Sequence, residues 1–308
     1  MASRTPTPPR RPRTTTLADI SRRLQPRDRI IAHLLDDHTA LTTDQIAAIA
    51  FDSPTTCTNR LHTLRRLEFI GYVTRTIPAR RARTYWVPGR LSARLVALAR
   101  GLAPPTPKAV ALRQDTVLSS PAAAHTVETN QFFIDLIAHT RGRAGTRLAR
   151  WWSATRTAAA FAGRIHPDGH GVWDTDGSSV GFFLEYDRGT EDHRRLAAKL
   201  EPYRRLRADG GPDYPVLFSF PTRHRERHFH RHITTSSDRN VADALDTITI
   251  ATCARDHVNG PHGIAGPVWR LVGNGGHSLT LADLPASHGH GGPLDPGPPT
   301  PTHDPLGE

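Results

Sequence analysis

The stretch RIHPDGHGVWDTDGSSVGFFLEYDRGTEDHRRLAAKL, residues 164–200, decides the fold of the second half of the chain. Ile165 and residues 172–174 predict one strand, with Asp168 near its start. Residues 180–186 are apolar enough to form a central strand. Thr190 then predicts the start of a helix, because Glu191 and Asp192 would offset the dipole in its first turn. This helix is expected to run to about Ala208.

The sequence on either side of this stretch extends the pattern. Residues 121–140 have the apolar spacing of a helix, residues 147–153 predict a strand before the quoted stretch, and residues 215–220 predict a strand after it. The resulting order, αβββαβ, predicts an α/β (α+β) domain over residues 115–284.

Two acidic positions and one lysine stand out within this domain. Asp168 follows Pro167, and Glu185 and Asp187 form an E-x-D pair on a strand-like run. Carboxylates on neighbouring strands can hold a divalent cation through oxygen ligands, and a nearby ammonium can position a water for attack. Of the 40 Lys and Arg residues, only Lys108 and Lys199 are lysine, and Lys199 lies on the predicted helix. The candidate catalytic residues are Asp168, Glu185 and Lys199, and the candidate metal ligands for Mg²⁺ or Mn²⁺ are Asp168, Glu185 and Asp187.

Each of these residues also has a purely structural interpretation. Asp168 before a glycine could form a turn, Asp187 could pair with Arg188 on the surface, and Lys199 could be a solvated helix residue. Glu185 is different, since an acid inside FFLEY would be buried and would need a partner or a metal. The RHRERHFHRH run, residues 223–232, is interpreted as a solvated or phosphate-contacting helix.

Residues 26–100 have the pattern of a winged helix-turn-helix. Two predicted helices precede a third that starts at Pro54 after the N-cap residue Ser53, and two strand-like pieces enclose an arginine-rich tip. A polar helix of this kind reads base edges, and a basic wing neutralises phosphates. The predicted DNA-binding residues are Thr55, Asn59, His62, Arg66, Arg75, Arg80, Arg81 and Arg83.

The charge distribution favours the same interpretation. Residues 1–100 contain 18 Arg against 7 acidic residues, which accounts for the whole net charge of +11. A local excess of positive charge is typical of a domain that binds a polyanion, so double-stranded DNA is the expected partner. A structural domain whose arginines merely face water is the competing interpretation.

The remaining segments have simple compositions. Residues 1–25 predict a disordered basic arm, residues 101–114 a Pro-rich linker, and residues 285–308 a disordered tail. There is no run of apolar residues long enough to span a membrane and no apolar leader at the N-terminus. With only two cysteines, Cys57 and Cys253, a reducing compartment is favoured. The chain is therefore expected to be cytoplasmic, and its oligomeric state stays open.

The αβββαβ order with Asp168 and Glu185 resembles the core of the PD-(D/E)XK nuclease superfamily, the restriction-endonuclease-like fold. That resemblance implies acids that bind Mg²⁺ or Mn²⁺ and a lysine two residues after the second acid. In this chain Asp187 occupies the position of that lysine. Some members of the superfamily carry the lysine on the following helix instead, so the resemblance implies that Lys199 takes its role.

A longer resemblance, over about residues 28–220, is to the actinobacterial replication-relaxation family of plasmids and mobile elements. It is carried by TTDQIA, LRRLEFIGYV, the H-x4-N-x-F run from His125, WWS, HPDGHGVW, FFLEYDRGTE, KLEPY and PVLF. The resemblance implies a winged helix joined to a nuclease-like domain. Members often have Glu directly after WWS, where this chain has Ala154, and Glu128 is a candidate substitute.

These patterns predict a plasmid or mobile-element DNA-binding protein that acts in replication or DNA processing. If its nuclease-like domain is active, it would be a Mg²⁺- or Mn²⁺-dependent endonuclease, with replication or conjugation proteins as further partners. The alternative is a non-catalytic replication accessory or transcriptional regulator with a degenerate nuclease scaffold. A module that recruits a replication initiator is a third hypothesis.

Overall fold

The computed structural model describes residues 15–75, 83–273 and 277–286, together with residues 294 and 296. These residues form a mixed α/β structure with a two-stranded hairpin and a six-stranded sheet. The helices are α1 (Leu17–Ile20), α2 (Pro26–His38), α3 (Thr43–Ala50), α4 (Pro54–Arg66), α5 (Arg90–Ala99), α6 (Pro107–Ser119), α7 (Pro121–Thr140), α8 (Ala154–Ala160), α9 (His193–Ala198), α10 (Leu200–Ala208), α11 (Arg223–Thr234) and α12 (Arg239–Thr247). The strands are β1 (Ile70–Arg75), β2 (Arg83–Pro88), β3 (Arg147–Ser153), β4 (Gly169–Thr175), β5 (Ser178–Tyr186), β6 (Val216–Phe220), β7 (Ile250–Ala254) and β8 (Arg270–Leu271).

The first unit consists of α2, α3 and α4 followed by the antiparallel hairpin β1–β2, which is the element order expected from the sequence. Helix α4 begins where Ser53 accepts a hydrogen bond from the Thr56 amide and Pro54 occupies the first turn. Its buried side carries Cys57, Leu61 and Leu64. Residues 76–82, which include the predicted wing tip, lie outside the described residues.

Two predicted irregular segments contain helices instead. Within the predicted disordered arm, Thr16 and Asp19 form a capping box that starts α1, and Ile20 is buried. Within the predicted linker, Thr106 caps α6 and Pro107 fills its first position, so only residues 101–106 are irregular. Both corrections have one cause: a local cap and a few buried apolar side chains outweigh a polar, proline-rich composition. Of the predicted tail, only residues 285, 286, 294 and 296 are described.

The six strands of the large sheet run in the order β3-β4-β5-β6-β7-β8. Strands β3, β4 and β5 are antiparallel, whereas β5, β6 and β7 are parallel. The chain therefore follows the predicted αβββαβ order, with the short helix α8 inserted between β3 and β4. Helices α11 and α12 and strands β7 and β8 extend this order beyond the prediction.

The helix predicted from Thr190 to about Ala208 is divided in two. Asp192, rather than Thr190, caps α9, and the helix ends at Ala198 before α10 starts at Leu200. Pro202 explains the break, since it has no N–H to donate to the Ala198 carbonyl and its ring crowds that oxygen. Lys199 is the residue at this junction.

The two units share a continuous hydrophobic core. His38, at the end of α2, stacks on Trp151 of β3 with a ring-centroid distance of 3.6 Å. The Asn130 amide of α7 donates to the His38 and Ala40 carbonyls at 3.2 and 3.3 Å. Asn130 of the H-x4-N-x-F run therefore joins the units. No helix in the described part of the chain is both long and apolar enough to cross a bilayer.

Candidate functional site

Asp168 directly precedes β4, and Glu185 lies in the neighbouring strand β5 of the large sheet. Gly169 pairs with Leu184 in the β4–β5 register, and the Asp168 amide donates to the Leu184 carbonyl at 2.9 Å. The paired register ends there, with Asp168 one residue before β4, and Asp168 is close enough to Glu185 for its charge to raise the pKa of Glu185. The fold therefore brings the two predicted acids together.

Two groups hold the Asp168 carboxylate. His125 of α7 lies with its Nε2 atom 2.8 Å from Oδ1, and the Tyr186 amide donates to Oδ2 at 2.7 Å. The hydrogen bond to Asp168 raises the pKa of His125 and outweighs the lowering effect of burial. Asp168 is therefore fixed in place by a charged or readily charged neighbour, although a fifth of its side chain stays exposed.

Glu185 is almost fully buried and is held from the α9–α10 junction. Lys199 Nζ lies 3.0 Å from Oε2, and the Tyr203 hydroxyl donates to Oε1 at 2.6 Å. Lys199 also lies 3.2 Å from a Glu191 carboxylate oxygen. The Lys199 ammonium is therefore within hydrogen-bond distance of one of the two predicted acids.

Two neighbouring carboxylates, Asp168 and Glu185, and the Lys199 ammonium determine the electrostatics of this cluster. Burial, and next the like charge of Asp168, raise the pKa of Glu185 to about 7, against the opposing effects of Lys199 and Tyr203. Burial alone would lower the pKa of Lys199, but the adjacent Glu185 carboxylate outweighs it and raises that pKa. Lys199 is therefore cationic at neutral pH, and it partly neutralises two acids that repel each other.

Asp187, the third predicted metal ligand, has a different set of partners. Arg225 of α11 pairs with both of its carboxylate oxygens, and the Gly189 amide donates to Oδ1 at 2.9 Å. Its side chain is only 1% exposed, and Arg255 donates to its carbonyl at 2.7 Å. A guanidinium thus stands where the metal was expected, so these contacts do not fit the predicted role of Asp187.

The two positions proposed for an additional acid do not supply one. Ala154 follows the last pair of the β3–β4 register, Ser153–Gly169, and its side chain cannot bind a cation. Glu128 forms a two-contact ion pair with Arg188, at 2.9 and 3.3 Å. Both oxygens of the Glu128 carboxylate are therefore used in an ion pair at the surface.

The donors at the β4–β5 edge fit a magnesium-like cation that has two protein ligands. The described part of the chain holds no group of three or more His, Cys, Asp or Glu residues that could enclose a metal ion. Mg²⁺, however, usually takes only one or two carboxylates and keeps several waters or phosphate oxygens. Each oxygen of Asp168 and Glu185 accepts one hydrogen bond and keeps a second lone pair for a cation, and a cation between them would relieve the repulsion that raises the pKa of Glu185.

Four of the predicted DNA-binding residues lie along one side of α4, spaced by three or four positions. Thr55, Asn59, His62 and Arg66 of α4 are exposed. His62 lies edge-on to Trp86 of β2 at a ring-centroid distance of 5.7 Å, which joins α4 to the hairpin. In the hairpin, Arg75 of β1 lies opposite Arg83 of β2 in the strand register, and the Arg83 side chain is exposed. The Arg75 side chain, Arg80 and Arg81 lie outside the described residues.

Sequence reasoning assigned no role to three residues at the site. Tyr203 follows Lys199 by four positions, a spacing that places two helical side chains on one face, and this spacing could have identified it. His125 was quoted only as part of the H-x4-N-x-F run. Arg225 carried no usable signal, because its segment contains several other arginines of the same kind.

Comparisons with known proteins agree with the motifs. The sequence model described as replication-relaxation matches residues 33–216, which is more than half of the chain. The matched range includes Asp168, Glu185 and Lys199 but not Arg225 or Arg255. No curated protein and no solved structure gives a significant match. From the extent of the family match, the chain belongs to the replication-relaxation family.

Proposed function

We propose that this protein binds double-stranded DNA of a plasmid or mobile element and cuts its phosphodiester backbone during replication or DNA processing. Membership of the replication-relaxation family supports a role in replication. The observation that carries the cleavage step is the position of Lys199, whose ammonium lies 3.0 Å from Glu185 Oε2 at the edge where Asp168 also lies.

Asp168 and Glu185 would hold a divalent cation, Mg²⁺ or Mn²⁺. When bound, the cation would polarise the scissile phosphate and lower the pKa of a coordinated water. Lys199 would orient the attacking water or stabilise charge that develops on the phosphate. Tyr203 would fix the orientation of the Glu185 carboxylate and His125 that of the Asp168 carboxylate, since each forms a hydrogen bond with it.

The first unit would dock the protein on the duplex. Helix α4 presents the exposed Thr55, Asn59 and His62 opposite its buried side, as expected for a helix that reads base edges. The arginines of the hairpin would contact flanking phosphates. The positive charge of residues 1–100 supports this assignment.

A second candidate function is a DNA-binding accessory or regulator whose sheet domain has lost catalysis. Two observations favour it. Ala154 stands where the family resemblance implies a Glu, and Asp187, at the lysine position of the nuclease resemblance, is paired with Arg225. In this alternative, Lys199 serves only to neutralise the buried Glu185.

A nicking assay separates the two candidates. Supercoiled plasmid is incubated with the protein and Mg²⁺ or Mn²⁺, with EDTA and the variant Asp168→Asn as controls. Metal-dependent conversion to open circles that Asp168→Asn abolishes supports the nuclease. Binding without nicking under all metal conditions would rule it out and leave the accessory function.

A further inference from the structure

The solvent face of helix α11 carries mainly guanidinium and imidazole side chains. Its sequence, RHRERHFHRHIT, contains one acid, Glu226. Glu226 is 1% exposed and accepts a hydrogen bond from Thr252 of β7 at 2.6 Å, so it faces the sheet together with Phe229 and Ile233. The solvent side therefore carries no carboxylate from α11 itself.

The side chains on that face form one stripe. His224, Arg227, His228, Arg231 and His232 are spaced by three or four residues, which places them along one side of a helix. The His224 and His228 rings are 4.1 Å apart, and His193 of α9 lies 6.3 Å from His228 and 6.1 Å from His232. These five α11 residues with His193 are named the α11 face.

The arginines of the α11 face differ from most arginines nearby. Arg204 and Arg205 of α10 pair with Glu201, and Arg225 is committed to Asp187. Arg227 and Arg231, in contrast, form no ion pair with any residue in the described ranges, and both are exposed. Cations held next to one another without counter-charges are repelled, and that repulsion is relieved when a polyanion binds.

We infer that the α11 face is a second contact surface for the backbone of duplex DNA, separate from α4 and the hairpin. Guanidinium and imidazole groups donate to phosphate oxygens, and such contacts position DNA without reading its sequence. Helix α11 lies outside the segment matched by the family model, which ends at residue 216.

The location of the α11 face explains what this contact would do. Arg225 of α11 forms an ion pair with Asp187, which lies two residues after Glu185. Lys199 follows the last residue of α9, and the first residue of α9, His193, belongs to the α11 face. The same two helices therefore support both the candidate site and the α11 face. Phosphates bound on α11 would keep the duplex beside Asp168 and Glu185, so this inference rests on the proposed function.

The test compares two double variants of the full-length protein. Arg227→Gln/Arg231→Gln removes the two unpaired charges of the α11 face, and Arg204→Gln/Arg205→Gln removes two charges that are already paired. Duplex affinity is measured from low to moderate salt. The first variant should flatten the log–log salt slope by about 2, at about 0.9 per lost phosphate contact, while the second leaves it within about 0.5 of the parental slope. Unchanged melting temperatures show that both variants are folded.

Three outcomes are informative. A flattened slope limited to the α11 variant supports the α11 face, even if the plasmid is never nicked and the nuclease proposal fails. Equal slopes in both variants overturn the inference, even if nicking persists. Competition by polyglutamate as strong as that by duplex, at equal charge concentration, would also overturn it and assign the face to an acidic protein.

Discussion

Lys199 Nζ lies 3.0 Å from Glu185 Oε2. Lys199 is one of only two lysines in the chain, and it approaches a strand residue from a helix junction. Lys199 makes this contact from the junction between α9 and α10. Tyr203 reaches the other oxygen of the same carboxylate. Lys199 and Tyr203 of the KLEPY segment thus act on one buried acid.

Replacement of Tyr203 by Phe should destabilise the protein. It leaves Glu185 Oε1 buried without its hydrogen bond, which costs about 1–3 kcal/mol in the free energy of unfolding. Urea denaturation measures this loss. Tyr72→Phe, at an exposed site, is the matched control and should change stability by less than about 0.5 kcal/mol. Equal losses in the two variants would show that the Tyr203–Glu185 bond contributes nothing specific.

His38 should make the protein sensitive to acid. Burial, followed by the charge of Arg156, lowers the pKa of His38 to about 3, whereas in the unfolded chain it is about 6.5. Above about pH 6.5 His38 is neutral in both states. Below that pH the unfolded chain takes up the proton first, so stability falls toward pH 3 by up to about 1.4 kcal/mol per pH unit.

The variant His38→Phe keeps a ring against Trp151 and removes the titration. The slope of unfolding free energy against pH, measured between pH 6.5 and 4.5, should therefore be shallower than in the parent protein. The exposed His166→Phe should keep the parental slope. If His38→Phe also keeps it, His38 is not responsible for the acid sensitivity.

The hairpin and α4 should contribute to DNA binding in different ways. Arg83→Ala should flatten the salt slope by about 1, as expected for one lost phosphate contact. Asn59→Ala should reduce discrimination between duplex sequences by about 1–3 kcal/mol. Arg147→Ala, which removes a similarly exposed arginine that is paired with Asp174, is the control. Uniform weakening by Asn59→Ala on every duplex would mean that Asn59 contacts only the backbone.

Addition of an acid at position 154 should strengthen cation binding. Ala154 is exposed and directly follows the Ser153–Gly169 pair, and Gly169 is the residue after Asp168. It begins α8, where a negative charge also favours the helix dipole. Ala154→Glu should therefore increase Mn²⁺ affinity in calorimetry without loss of stability. Ala160→Glu, at the other end of α8, should not. Equal affinities in the two variants would contradict a cation site beside Asp168.

The strand pattern was sufficient to predict which carboxylates meet. Asp168 precedes β4 and Glu185 lies in β5, and apolar strands of this length joined by a short turn pair in one register. The three helices and the hairpin were equally predictable, because caps and prolines mark their starts.

The partners of those acids were harder to predict, since long-range contacts leave no local pattern. Arg225 is 38 residues from Asp187, and it takes the carboxylate that the sequence assigned to a metal. The helix break at Lys199 could have been inferred from Pro202, but the prediction extended the helix through it. Helix α1 and the start of α6 were not predicted, because their capping residues, Thr16 and Thr106, lie in polar, proline-rich segments.

The measurement that tests the account most directly is plasmid nicking by Lys199→Arg beside Lys108→Arg. Guanidinium keeps the charge but cannot readily release a proton or replace a compact ammonium. Lys108, the other lysine, is exposed on α6, which packs mainly against β1 of the first unit. We expect Lys108→Arg to nick like the parent protein, and Lys199→Arg to bind duplex normally without nicking. Nicking by Lys199→Arg at the parental rate, or no nicking by the parent with any metal, would contradict catalysis at the Asp168–Glu185–Lys199 cluster.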